Sequence, residues 1–264
     1  MRELTVLCDN EPFNPHTRMC LSGEASIGLF PSLFTLKLRN LSREDFIHLR
    51  NTKELTVKNG NSCLACGKVS DVYMETVPEG TLATVAFSFG MELWEKWVSL
   101  DVPAGSTMGR TVSAILTAAG VCPASFSVPG PDPVFSRGQA FLGRAAQCAE
   151  TALTRAGARC YLTRSGLCVV PSEPLQPTLH LKREDYTDRP VFADGGHKLV
   201  IPTKVVGYQL GEEISAELPE GITLPGLILR RSVEADTGNG PWKTELLVEL
   251  HDPMILNRNE RSDG

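Results

Sequence analysis

The apolar residues of this chain change their spacing twice, and that limits the folds open to it. In two stretches, 1–104 and 173–252, apolar and polar residues alternate in short segments between Gly, Pro and Asn turns. Between them, apolar residues recur three and four apart. Alternation is the period of a half-buried strand, and the wider spacing that of an amphipathic helix. The pattern predicts a β-rich α+β protein: two barrel-like β domains flank a small α+β domain, divided at 1–104, 105–172 and 173–252, with a polar tail at 253–264. A length of 264 residues suffices to bury a core without staples, and 23 glycines and 18 prolines suit a chain with many turns.

In the first stretch, strands are predicted at Leu4–Cys8 and at 33–40, where Phe34, Leu36 and Leu38 share one face. Ser42 is expected to cap a short helix ending near Leu49, with Asp45 at the capping-box position. Glu54–Lys58 and Ser62–Tyr73 read as a hairpin about Asn59-Gly60, a type I′ signal, with Gly67 as a candidate bulge. A strand Leu82–Phe89 follows, and Trp97–Val102 closes the block.

In the middle, Thr107 caps a helix Met108–Ala119 that Gly120 stops. A Pro/Gly link at 123–133 follows. Ser136 to Gln139 reads as a capping box for a helix ending before Gly157, with Phe141, Ala145, Cys148 and Ala152 as its stripe. A hairpin of Ala158–Leu162 and Leu167–Val170 comes next. Beyond it, strands are predicted at Thr178–Leu181, Lys198–Pro202, Thr203–Tyr208, Glu213–Leu218, Leu224–Val233 and Trp242–Leu250.

The net charge of −5 argues against a broad nucleic-acid surface, and the pairs Lys182-Arg183 and Arg230-Arg231 are too short to supply one. No secretory leader or run of about 18 apolar residues occurs, so a chain made in the cytosol and without a membrane span is expected. The eight cysteines are then expected as reduced, mostly buried thiols.

Cys63 and Cys66 form a CxxC, but no second CxxC or paired His supplies a zinc set; His48 is a third ligand at most. A redox CxxC of the thioredoxin kind opens a helix, whereas this one lies in a predicted hairpin, so small core residues are the plainer reading. No HExxH, GxSxG or phosphate-binding glycine loop is present; the run Gly105 to Arg110 reads as a helix cap. No catalytic, cofactor-binding or metal-binding residue is therefore assigned, and no cofactor is expected. Trp94 and Trp97, three apart, are candidates for a partner or glycan contact, with a β-edge or core anchor as the alternative.

Several segments together resemble the tail (baseplate) hub proteins of bacteriophages and of prophage tail-like particles. They are Leu36 to Ser42 followed by a short helix, Glu54 to Gly60, Gly67 to Val72, Phe87 to Gly90, and Pro103 to Thr107 opening a helix. The second half adds the hairpin at Ser165 to Leu167, Lys204 to Ile214, and Gly238 to Leu246. The resemblance implies a non-enzymatic virion structural protein, assembled in the host cytoplasm and placed in the virion tail. It implies a homotrimer that presents six similar barrels. The implied partners are the tail tube or distal tail protein on one side and a spike or tail tip protein on the other. A tail-associated cell-wall hydrolase and a carbohydrate-binding module are the alternatives.

Overall fold

The computed structural model describes residues 2–13, 17–121, 126–128, 131–163, 166–170 and 175–252. The tail at 253–264, the turn residues 164–165 and part of the Pro/Gly link lie outside them.

The first stretch forms β1 (Thr5–Cys8), β2 (Glu11–Phe13), β3 (Met19–Ser26), β4 (Ser32–Arg39), α1 (Arg43–Asn51), β5 (Glu54–Asn59), β6 (Ser62–Val77) and β7 (Gly80–Phe89). Alternation does what it predicts. Phe34, Leu36 and Leu38 of β4 are buried, as are Ala83, Val85 and Phe87 of β7. Ser42 caps α1: its hydroxyl accepts from the Asp45 N–H at 3.0 Å and donates to the Asp45 carboxylate at 2.7 Å. The β5–β6 turn is Gly60-Asn61, because Asn59 itself pairs with Ser62. Gly60 takes a φ of 55°, and a positive φ at the first central position alone is the type II′ rather than the type I′ pattern. The bulges of β6 fall at Leu64 and Ser70, not at Gly67.

The middle comprises α2 (Met91–Glu95), β8 (Trp97–Val102), α3 (Met108–Ala118), β9 (Phe126–Ser127), β10 (Gln139–Arg144), α4 (Ala145–Arg155), β11 (Cys160–Thr163) and β12 (Gly166–Val169). Thr107 caps α3 and Gly120 follows it with φ 69°, as expected. The expected capping box at Ser136 to Gln139 does not form. Residues 139–144 are a strand, and α4 begins at Ala145, eight residues after the Arg137 start that the capping box implies. Gly143, at φ 151°, does not continue a helix, and β10 finds its partner in β8. The strand Trp97–Val102 forms, but among the described residues it pairs only with β10, and it packs with α3 and α4.

The last stretch forms β13 (Leu179–Leu181), β14 (Val191–Ala193), β15 (Lys198–Thr203), β16 (Glu213–Glu217), β17 (Thr223–Asp236) and β18 (Trp242–Leu250). Residues 204–208, expected as a strand, are irregular. The chain is β-rich, but its sheets do not close into barrels. The first and last stretches share one sheet of 13 strands, because β17 runs antiparallel to β3 from Arg230↔Ser26 to Asp236↔Cys20. Each block's edge is thus taken by the other.

Three apolar cores result. One lies under β1–β7 and includes Val233 and Ala235 of β17; one lies around α3 and α4; one lies under β13–β18. Leu29, Leu93, Val98 and Val102, all before residue 105, belong to the second.

The β3–β17 seam ends in an ion pair. Arg18 meets Asp236 at 2.8 and 2.5 Å, and Asp236 also accepts from the Gly238 N–H at 2.8 Å. The hydrogen bond from Arg18 is the main reason that the Asp236 carboxyl sits below its usual range. A depressed folded-state pKa contributes stability above the unfolded value, about 3.9 for Asp, and loses it as pH falls through the folded value. Asp236→Asn is therefore expected to lower stability at neutral pH and to shrink the loss seen below about pH 4. Urea unfolding at pH 7 and pH 3 checks this; an equal acid loss in both proteins refutes the link.

Candidate functional site

The two tryptophans have different surroundings. Trp94, on α2, donates its indole N–H to the Leu29 carbonyl at 2.5 Å and stacks on Phe30 at 5.8 Å between centroids. It packs against the second core. Trp97 opens β8 and is 67% exposed. It lies opposite Arg144, and Leu142, 74% exposed, lies opposite Ser99. The β8–β10 ribbon buries Val98, Val102 and Phe141 and turns Trp97, Ser99, Asp101, Ala140, Leu142 and Arg144 to solvent. Trp97 and Leu142 are diagonal neighbours on that outer face, within reach of large side chains.

A crevice runs between the outer face of β5–β7 and the middle unit. Its main cavity, ≈360 Å³, has Thr56, Cys66 and Phe89 on one side and Leu116, Leu162 and Leu167 on the other. Lys68 and Glu92, both at its wall, form an ion pair, and that hydrogen bond raises the Lys68 pKa. Glu54 lines the same cavity.

A smaller cavity, ≈120 Å³, shares Cys66, Phe89, Leu162 and Thr163 with the first and adds Cys63, Tyr161, Gln209 and Arg231. The CxxC reaches it through the bulge at Leu64. Cys63 lies opposite Lys58 and Cys66 opposite Thr56, two positions apart on β5, so both thiols project from one face. Without the extra residue, a spacing of three would have put them on opposite faces.

Arg231 is the unusual member. It is 5% exposed. Its Nη1 donates to the Tyr208 carbonyl at 2.7 Å and its Nη2 to the Leu64 carbonyl at 2.6 Å. Its Nε has no partner among the described residues. Burial pulls the guanidinium pKa down, and the nearby Cys63, Cys66 and Glu212 oppose that pull. Glu212 accepts from the Gln209 N–H at 2.7 Å, and burial raises its pKa. The Gln209 amide in turn donates to the Cys63 carbonyl at 3.1 Å. A buried cation held only by carbonyls is costly unless an anion compensates it.

His48 stacks on Phe13 at 5.5 Å, and no group of three or more His, Cys, Asp or Glu among the described residues is placed to hold a metal ion. The structure does not bring His48 to the CxxC. Arg231 carried a readable signal: in β17, Arg231, Val233 and Ala235 alternate onto the inward face. Sequence reading took it only as half of a basic pair.

No family model and no curated relative matches this sequence. Solved structures do. A tail protein from Neisseria meningitidis matches at TM-score 0.66 and 11% identity, over 93% of this chain and 95% of that one. The prophage MuSo2 43 kDa tail protein from Shewanella oneidensis matches at 0.68 and 10%, over 94% and 96%. An Escherichia coli component of the type VI secretion system, itself structurally similar to T4 bacteriophage tail proteins, matches at 0.70 and 10%, over 97% and 80%. Over nearly its whole length, this chain has the fold of phage and prophage tail proteins and of a type VI secretion component built like them.

Proposed function

We propose that this chain is a non-enzymatic structural protein of a phage tail or tail-like particle, acting as the hub between a six-fold tail tube and a three-fold spike or tip. The observation that carries this reading is the extent of the match: both β stretches and the unit between them align with tail proteins, over 93% or more of the chain. In this reading the protein is a homotrimer in the virion tail, and its partners are the tube or distal tail protein and the spike. Native mass spectrometry of the purified protein is expected to give a species of three 28.7 kDa chains, with rings in electron micrographs. A strictly monomeric protein at high concentration counts against the hub.

The outer face of the β8–β10 ribbon is our choice for a contact with a neighbouring subunit, since it pairs an exposed Trp with an exposed Leu on a rigid support. Trp97→Ala with Leu142→Ala is expected to change chain stability by no more than about 0.5 kcal/mol for each exposed site. The same pair should weaken assembly by about tenfold or more. Sedimentation across a concentration series reads both, and unchanged assembly removes the ribbon from the interface. If the indole instead takes a glycan, a glycan screen will find binding that Trp97→Ala abolishes.

A further inference from the structure

We propose that Cys63 and Cys66 are a dithiol site that closes to an intramolecular disulfide on meeting a low-molecular-weight disulfide such as glutathione disulfide, with Arg231 as the residue that positions and stabilises the attacking thiolate.

Three features converge on this. The bulge at Leu64 puts both thiols on one face of β6, two positions apart relative to β5. At a rise of about 3.3–3.4 Å per residue, that spacing is about 6.7 Å between α-carbons, inside the roughly 4.4–6.8 Å range of a disulfide but above its usual 5.5–6 Å, so closure draws the two positions together at the bulge. Both cysteines are half-buried rather than sealed, and both line the cavity that Arg231 also lines. The guanidinium has five N–H donors and spends two on carbonyls; its Nε finds no partner, and no carboxylate makes an ion pair with it among the described residues. Of the groups whose charge favours the guanidinium cation, Cys63 and Cys66 act more strongly than Glu212, and a neighbouring Arg is what makes a thiol reactive. As a thiol, Cys63 donates to the Ala65 carbonyl at 3.7 Å, a weak bond that ionisation releases. Of the other described cysteines, Cys20 and Cys168 are also half-buried, but neither lines the Arg231 cavity. The remaining three, Cys8, Cys148 and Cys160, are buried, and burial pushes the Cys160 thiol up to about 12.

The chemistry balances. One protein thiolate attacks a sulfur of glutathione disulfide; its S–S bond breaks and one glutathione thiolate leaves. The second protein thiolate attacks the protein-side sulfur of the mixed disulfide and expels the second glutathione. Two protein thiols are oxidised, one glutathione disulfide is reduced, and the two protons lost by the protein end on the two glutathione thiols. The same exchange run backwards with reduced glutathione restores both thiols, so the site is reversible.

Trypsin isolates the site, because residues 59–68 lie between Lys58 and Lys68 and contain these two cysteines alone. The folded protein is treated with glutathione disulfide, alkylated and digested. The expected peptide carries no alkyl group, is lighter by about 2 Da than the unalkylated dithiol peptide, and gains those two hydrogens with a reductant. Cys66→Ser and Cys63→Ser should stop at the glutathione adduct, heavier by about 305 Da. A peptide that stays reduced, or that carries two glutathiones without closing, overturns the proposal. Arg231→Met is expected to slow the reaction by about threefold or more, since loss of the cation lowers the thiolate fraction by more than nucleophilicity gains. Arg231→Lys should recover part of that rate. Equal rates in all three proteins overturn the role of Arg231, and the wild-type result stands whether or not the Met variant folds.

Discussion

Gly67→Val is expected to cost about 3–5 kcal/mol and to leave a marginally stable protein substantially unfolded at 37 °C. The cause is a collision rather than a dihedral. A β-carbon on Gly67 would come 2.2 Å from the Ser88 carbonyl oxygen and 2.4 Å from its carbon. Neither strand can yield cheaply: Gly67 pairs with Leu55 on one side, and the next residue, Lys68, pairs with Ser88 on the other. Relief requires β6 and β7 to part where the ladder begins, beside the CxxC. Gly67→Ala should show the same sign with a smaller loss. Urea denaturation followed by far-UV circular dichroism measures both, and an unchanged midpoint for the valine variant removes the close approach as a constraint.

Phe87→Ala is expected to cost about 3–5 kcal/mol, the usual range for emptying a large aromatic site. Phe87 is 1% exposed and lies directly opposite Phe34 across the β4–β7 pair, their rings stacked at 5.5 Å. Phe34 also covers Gly23 of β3, since a β-carbon there would fall 2.3 Å from its ring. One aromatic stack thus spans three strands. Phe34→Ala should therefore also destabilise, and the double variant should lose less than the sum of the singles by about 0.5–1.5 kcal/mol. Strict additivity in thermal or urea unfolding shows that the rings do not act together.

Much of this fold is legible locally, and the exceptions share a cause. Phe34, Leu36 and Leu38 announce β4, and Ser42 with Asp45 announces α1, because each signal lies within a few residues of its effect. The strand β10 is not legible in that way. Phe141, Ala145 and Cys148 do share one core, so the stripe is real, but Phe141 enters it from a strand whose partner, Leu100, lies about forty residues away. Pairing overrides the local period there. The barrels expected of the two β stretches fail similarly, because no local signal shows that β3 takes β17 as its neighbour. In the candidate site, the CxxC spacing is visible in the sequence but its shared face is not, since that depends on a bulge. Arg231 alternates inward as the sequence says, yet the carbonyls that hold it, from Tyr208 and Leu64, come from distant parts of the chain.

The β3–β17 seam sets a schedule for the growing chain. The residues of β3 leave the ribosome about two hundred positions before the β17 residues that flank them. At about 5–20 residues per second that interval is about 10–40 s. Until it ends, β3 has β4 on one side and an open row of backbone donors and acceptors on the other, an invitation to pair with a second nascent chain. Copies translated side by side from one message are most exposed to that error. A chain cut before residue 223 never closes the gap, so truncated products should accumulate as aggregates rather than as a soluble first unit.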